Sequence, residues 1–264
     1  MKIWQVDSFS NEPFKGNPAA VVLLDRQISD ELMLNIAKEM NLSETAFILL
    51  SKNGNPLLRW FTPMFEIDLC GHATLAAAHI YMTEIKKEVQ SVTFDTKFVG
   101  ELNVQKEAAS YVMNFPVREG AAIEAESIPS FVFEALSKTK PKEIYKSRDL
   151  MLVYDNAQII RDMKPDFNTL MAYKDFIIVT ARSDVPEYDF VSRFFCADDG
   201  IAEDPVTGSA HCTLAPYWGK KLNKDHMQAY QCSERGGALD LRIQQDRVLI
   251  KGSAVTVLEG SLRV

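Results

Sequence analysis

Long apolar runs are missing from this 264-residue chain. The longest, such as "AAVVLL" and "AFILL", fall far short of the roughly 20 residues a membrane-spanning helix needs. Also missing is any long Lys/Arg block. With 29 basic against 36 acidic residues the net charge is −7, so nucleic acid is not an expected partner. The cysteines Cys70, Cys196, Cys212 and Cys232 never stand in C-x-x-C spacing and read as free thiols. Cys196, His211 and Cys212 lack the spacing of a usual zinc site. The opening "MKIWQVDSFS" has no apolar stretch of the kind a secretion signal carries, which makes a cytoplasmic protein the expectation. There is no Gly-rich phosphate loop, no G-x-S-x-G and no metal-ligand cluster. What these gaps leave open, on the enzymatic side, is acid/base chemistry without metal or cofactor. An acidic chain can still hold a locally positive site for a small anion.

What is present is ordinary globular composition, 47% apolar and 25% charged. The length suits one large domain or two of about 130 residues. "KIWQVDSFS" and "AAVVLLD" read as strands joined through the turn "EPFKGNP". Ser29 caps a helix with Asp30 and Glu31 in its first turn, an apolar stripe of Leu32, Ile36, Ala37 and Met40, and Asn41 at its end. "TAFILLSK" and "NPLLRWFTP" form a hairpin around Asn53-Gly54. "CGHATLAAAHIYMTE" is apolar on nearly every side and predicts a buried helix. "GSAHCTLAPYWGKKL" predicts another, preceded by the loop "DDGIAEDPVTGS". Between and after them the chain reads mostly as strands, with helices from about Pro129 and near "FNTLMAY".

The two small-residue helices belong to a repeat. Gly71 falls on Gly208, Ala73 on Ala210, Ala78 on Ala215 and Tyr81 on Trp218, all 137 residues apart, and Glu66 falls on Glu203 at the same offset. Two similar lobes follow, each with strands around a central apolar helix. Both helices open on a glycine followed by a polar side chain, Gly71-His72 and Gly208-Ser209. Helix starts present unpaired N–H groups and the positive dipole end, and glycine lets a ligand approach the backbone. Ordinary capping would explain one such start; two related ones favour a carboxylate site. Asp204, ahead of a proline, is a turn residue or a site group. His72 would be kept neutral by the dipole, His79 is structural, and His226 lies on the surface. Glu44, in "NLSETAF", is either a solvated edge residue or an acid/base group held against apolar walls. Burial there would favour its protonated form and suit proton transfer.

"GNPAAVV" (16–22), "NLSETAF" (41–47), "FTP" with "CGHATLAAA" (61–63, 70–78) and "EDPVTGSA" (203–210) together resemble the PhzF family of phenazine-biosynthesis-like isomerases. The resemblance runs in order through both halves. It implies an α+β, diaminopimelate epimerase-like fold: two pseudo-symmetric lobes, each a β-sheet rolled around a central α-helix, with the site between them. On that basis the lobes are 1–116 plus 255–264 and 117–254. The resemblance places the catalytic acid/base role on Glu44. It puts His72, Asp204 and Ser209 in the polar network that orients substrate and relays protons, and Gly71, His72, Gly208 and Ser209 at the substrate. It implies a cofactor-independent isomerase of a small carboxylate-bearing metabolite, with no metal, and a homodimer. Epimerase relatives carry a cysteine just before each helix glycine. Here those positions are Cys70 and Thr207, and threonine cannot supply a thiolate. An amino-acid racemase is therefore the second expectation, and a non-catalytic small-anion binding protein the third.

Overall fold

The computed structural model describes residues 1–52, 54–196 and 202–264. Asn53 of the expected turn, and residues 198–201 of the expected loop, lie outside the described residues. The chain folds as two compact units, Met1–Asn114 with Leu249–Val264, and Phe115–Val248. The chain returns to the first unit at 248/249, inside a single 15-residue strand, Arg247–Ser261, rather than at 254/255.

In the first unit, β1 (Lys2–Ser8) and β2 (Asn17–Leu24) form an antiparallel pair. Gly16 makes the turn between them possible. Its φ is +66°, and a Cβ there would collide with the Ser8 carbonyl oxygen. The Asp7 carboxylate holds the same turn by accepting from the Phe14 N–H at 2.7 Å. Helix α1 (Asp30–Met40) is capped by Ser29, whose hydroxyl accepts from Leu32 N–H, and it stops at Asn41 in left-handed geometry, φ 49°. Its buried stripe is Met33, Ile36 and Ala37, while Leu32 and Met40 pack half-buried at the margin. After Asn41 the chain runs into β3 (Glu44–Leu49), which lies parallel to β2 with Glu44 opposite Ala19. Next come β4 (Leu57–Phe61), antiparallel to β3, and the two-residue β5 (Glu66–Ile67).

Helix α2 (Gly71–Ile80) follows, with every residue buried except His79, and a π-helical turn, Tyr81–Ile85, extends it. Strands β6 (Ser91–Thr96), β7 (Glu101–Glu107) and β8 (Ser110–Pro116) complete the sequence of pairings. β8 and β1 both pair with the last strand of the chain, which closes the sheet on itself around α2. A helix apolar on all faces is stable only inside such an enclosure.

The second unit repeats this plan. β9 (Ala121–Ala122) and α3 (Ser130–Leu136) lead to β10 (Glu143–Lys146) and β11 (Leu150–Val153). Helices α4 (Ala157–Asp162) and α5 (Phe167–Leu170) stand where α1 stands in the first unit. The sequence reading missed α4, whose six residues are too few to display a helical period. Then come β12 (Ile177–Arg182), β13 (Phe190–Phe195) and the two-residue β14 (Glu203–Asp204). Pairings run antiparallel, parallel, antiparallel, antiparallel from β10 to β14, as they do from β1 to β5.

Helix α6 (His211–Leu222) is entered through a 3₁₀ turn, Gly208–Ala210, so its α-helical start lies later than the repeat predicts. One cause is visible in the hydrogen bonds. At the α2 start Thr74 N–H donates to the Cys70 carbonyl at 3.1 Å. At the matching place the His211 ring Nδ1 takes the Thr207 carbonyl at 2.9 Å. Pro216 lies inside α6 and cannot donate to the Cys212 carbonyl; the Arg118 N–H does so instead, at 2.9 Å. Strands β15 (His226–Gln231) and β16 (Gly237–Gln244) finish the unit before the long last strand, β17.

Candidate active site

Glu44 is the first residue of β3, and Asn17 is the first of the neighbouring parallel strand β2. Both therefore stand at the same end of the sheet, and His72 stands one residue into α2. Its ring joins them. Glu44 Oε2 lies 3.1 Å from His72 Nε2, a close contact bent away from an ideal hydrogen-bond line. The Asn17 amide nitrogen lies 3.0 Å from His72 Nδ1, and Cys70 Sγ lies 3.4 Å from the same nitrogen. The Ser8 hydroxyl donates to the His72 carbonyl at 2.8 Å and ties the helix start to β1. Glu44 keeps 17% of its side chain exposed while His72 keeps 5%, so the carboxylate is the member that solvent can reach.

Burial pushes the His72 pKa down to about 3. The sequence reading attributed neutrality to the helix dipole; in the structure the dominant cause is desolvation of the imidazolium. Either way the ring is neutral at physiological pH and carries one proton.

Glu44, Cys70 and His72 bring possible metal-ligand atoms within 4.8 Å of one another. The Glu44 carboxylate and the Cys70 thiol thus lie close to each other as well as to the His72 ring. Cys70 is 7% exposed and packs against the histidine.

In the second unit, Asp204 ends β14 and accepts a short hydrogen bond from the Thr207 hydroxyl. Gln231, fully buried, fixes the loop: its amide donates to the Asp204 carbonyl at 2.7 Å and accepts from Thr207 N–H at 2.8 Å. Ser209 accepts from Arg148 Nη2 at 3.2 Å, and Arg148 forks onto the buried Asp149. His211 is sealed, with its pKa pushed down to about 4 by burial. It belongs to the helix entry, and neither Cys196 nor Cys212 is in a disulfide. His79 bonds Tyr111 and Thr256, each at 2.9 Å, a structural placement. His226 is half-exposed and sits 3.0 Å from Asp240.

Each helix entry is braced the same way. Arg59 of β4 forks onto Glu66 of β5 at 2.6 and 2.8 Å, and Arg193 of β13 forks onto Glu203 of β14 at 2.7 Å for both contacts. Each guanidinium also lies over a phenylalanine two residues on, Phe61 at 5.2 Å and Phe195 at 5.0 Å. Two-residue strands have too few ladder bonds to hold themselves; a bidentate ion pair supplies the missing constraint. The repeat in the sequence already contained Glu66 and Glu203. It did not reveal their arginine partners, which sit at a slightly different offset.

A model of the phenazine biosynthesis-like protein family, PhzC-PhzF, matches residues 6–260 of this chain. The chain belongs to the PhzF family. Its PhzF relatives include an uncharacterized isomerase of Halalkalibacterium halodurans, 45% identical over 98% of this chain and 97% of that protein. A solved PhzC/PhzF protein of Clostridium difficile superposes with a TM-score of 0.92 at 43% identity, covering both chains completely. The α+β fold extends to the epimerases: a hydroxyproline epimerase of Agrobacterium vitis matches with a TM-score of 0.58 at 12% identity, over 98% of this chain and 90% of that one. As a PhzF protein the chain is an isomerase. No helix among its described residues is long and apolar enough to cross a membrane.

Proposed function

We propose that this PhzF protein moves a proton between carbons of a small carboxylate-bearing metabolite, using Glu44 as the single acid/base group and no cofactor. The Glu44 carboxylate takes a proton from a carbon made acidic by conjugation. The electron pair delocalises, and the resulting carboxylic acid returns a proton at another carbon. The substrate changes constitution and the enzyme ends as it began. His72 supports the carboxylate from behind. We assign substrate binding to Gly71, His72, Gly208 and Ser209, and proton relay and orientation to Asp204 and Ser209. A homodimer in the cytoplasm is part of the same proposal.

The observation that carries this reading is the contrast between the two repeats. Arg59 faces Phe47 across β4 and β3, and Arg193 faces Val179 across β13 and β12. Three residues before Phe47 stands Glu44; three before Val179 stands Phe176. A carboxylate at this place in the repeat therefore occurs once. Two-base inversion of an amino acid needs a base and an acid on opposite faces of the α-carbon, and Thr207 where the other repeat has Cys70 removes the paired-thiol version. One base that takes and returns the proton fits a double-bond shift.

The test is deuterium incorporation from D2O into a panel of small unsaturated and amino carboxylates. Wild type should label a product of changed constitution. Glu44→Gln should lose about 10² to 10⁴ in rate with unchanged circular dichroism. A Glu44→Gln protein that exchanges at the wild-type rate would sink the assignment. Label at the α-carbon of an otherwise unchanged amino acid would instead establish the racemase reading. Saturable binding with no label in any compound would establish the anion-binding one.

A further inference from the structure

We infer that Asn17 is a positioning residue that sets the tautomer of His72, holding the imidazole proton on Nε2, the ring nitrogen nearer Glu44. The inference rests on the proposed role of Glu44 and asks what keeps it ready as a base.

Two groups flank Nδ1, the Asn17 amide at 3.0 Å and the Cys70 thiol at 3.4 Å. The amide nitrogen is a donor only, and the thiol is a weak donor. A nitrogen facing two donors is an acceptor. A neutral imidazole has one proton, so it resides on Nε2, the atom 3.1 Å from Glu44 Oε2. A protonated nitrogen that close to the oxygen, though off the line of a hydrogen bond, favours the carboxylate over the acid. The resting site is then a base waiting for a C–H proton rather than an acid with nothing to accept.

Asn17 is well placed to enforce this. It is fully buried, paired with Ser8 across the β1–β2 ladder, and presented by the Gly16 turn that no other residue type fits without strain. Its amide cannot swing to solvent and cannot lose a proton. An aspartate at the same place would accept only. It would draw a proton to Nδ1 and leave Nε2 bare or the ring doubly protonated, so Glu44 would face a bare nitrogen or an imidazolium. The groups facing the ring are thus Asn17 from β2, Cys70 from the helix entry and Glu44 from β3, with the Ser8 hydroxyl on the His72 carbonyl.

The experiment is ¹⁵N NMR of the histidine ring nitrogens in the full-length protein at neutral pH. The His72 signals are assigned by their loss in His72→Gln. Wild type should show the proton on Nε2 and a bare Nδ1. Asn17→Asp should show a proton on Nδ1, with or without one on Nε2, and Asn17→Ser, which retains a hydroxyl donor, should keep the wild-type pattern. A proton on Nδ1 in wild type overturns the inference, as does an Asn17→Asp spectrum with Nδ1 still bare. Should Asn17→Asp not fold, the wild-type spectrum decides the tautomer alone. The readout needs no substrate, so it is distinct from the outcome for Glu44→Gln: if that variant stays active the proposed function fails while the tautomer result stands.

Discussion

Gly16 shows how much one residue of this chain controls. It lies 28 positions before Glu44 in the sequence, yet its positive φ is what delivers Asn17 to the head of β2 and so to the ring of His72. A methyl group there would meet the Ser8 backbone, which has no flexible end to move aside. Gly16→Ala should therefore cost about 3 kcal/mol, combining left-handed strain with overpacking. Urea unfolding measures it; a cost below about 0.5 kcal/mol would mean the turn simply relaxes. Sequence reading picked out the "GNP" turn but not the side chain it serves. Asn17 looked like a turn residue because Asn commonly is one. Glu44, by contrast, stood out locally: a carboxylate entering an apolar strand is out of place without a task.

At the level of elements, the arginine forks decide whether the helix entries are rigid. Arg59 and Arg193 have side chains 9% and 11% exposed, and their carboxylate partners 13% and 18%. Removing one partner of such a pair strands the other charge at low dielectric. Arg59→Met and Arg193→Met should each destabilise by about 3 kcal/mol, read from denaturant midpoints at constant slope. The Arg59 site also loses a second contact, to Asp30 of α1, and Arg193 loses the Ile160 and Met163 carbonyls. Equal effects would show that the forks carry the energy; a much milder Arg193 effect would place the energy elsewhere. Elements themselves were readable where their signal is periodic: the capped α1, the buried α2 and the alternating strands. Short α4 and the 3₁₀ entry to α6 were not. The first has too few residues, and the second depends on a side chain, His211, competing for a backbone carbonyl.

For the molecule as a whole, pH is the informative variable. His72, His79 and His211 have pKa values pushed down to about 3, about 4 and about 4, against an ordinary 6.5, chiefly by burial. The unfolded chain therefore binds these protons before the folded one does. Stability is fully present above about pH 6.5 and is lost as pH falls toward 4. Each pH unit in that window costs about 1.4 kcal/mol per fully mismatched histidine. Urea midpoints should decline between pH 6 and pH 4, and His211→Asn, which retains a donor for the Thr207 carbonyl, should flatten that decline. A flat wild-type profile would mean the rings are reached by water. Ion-paired carboxylates such as Glu66 and Glu143, held below their usual range, add their loss at still lower pH.

By itself the sequence determined the repeat, the two buried helices and the odd carboxylate, because each is written in neighbouring residues or in one fixed offset. Apolar periodicity and glycine positions act locally, so they can be read locally. Only the tertiary structure decided what Glu44 meets. His72 is 28 residues away from it and Asn17 is 55 from His72, and polar contacts at about 3 Å depend on strand register and helix position rather than on spacing along the chain. The same holds for Arg59 with Glu66, Arg148 with Ser209 and Gln231 with Thr207. Polar partners have no period. They are chosen when the sheet closes around its helix and burial makes every unmatched donor or acceptor costly.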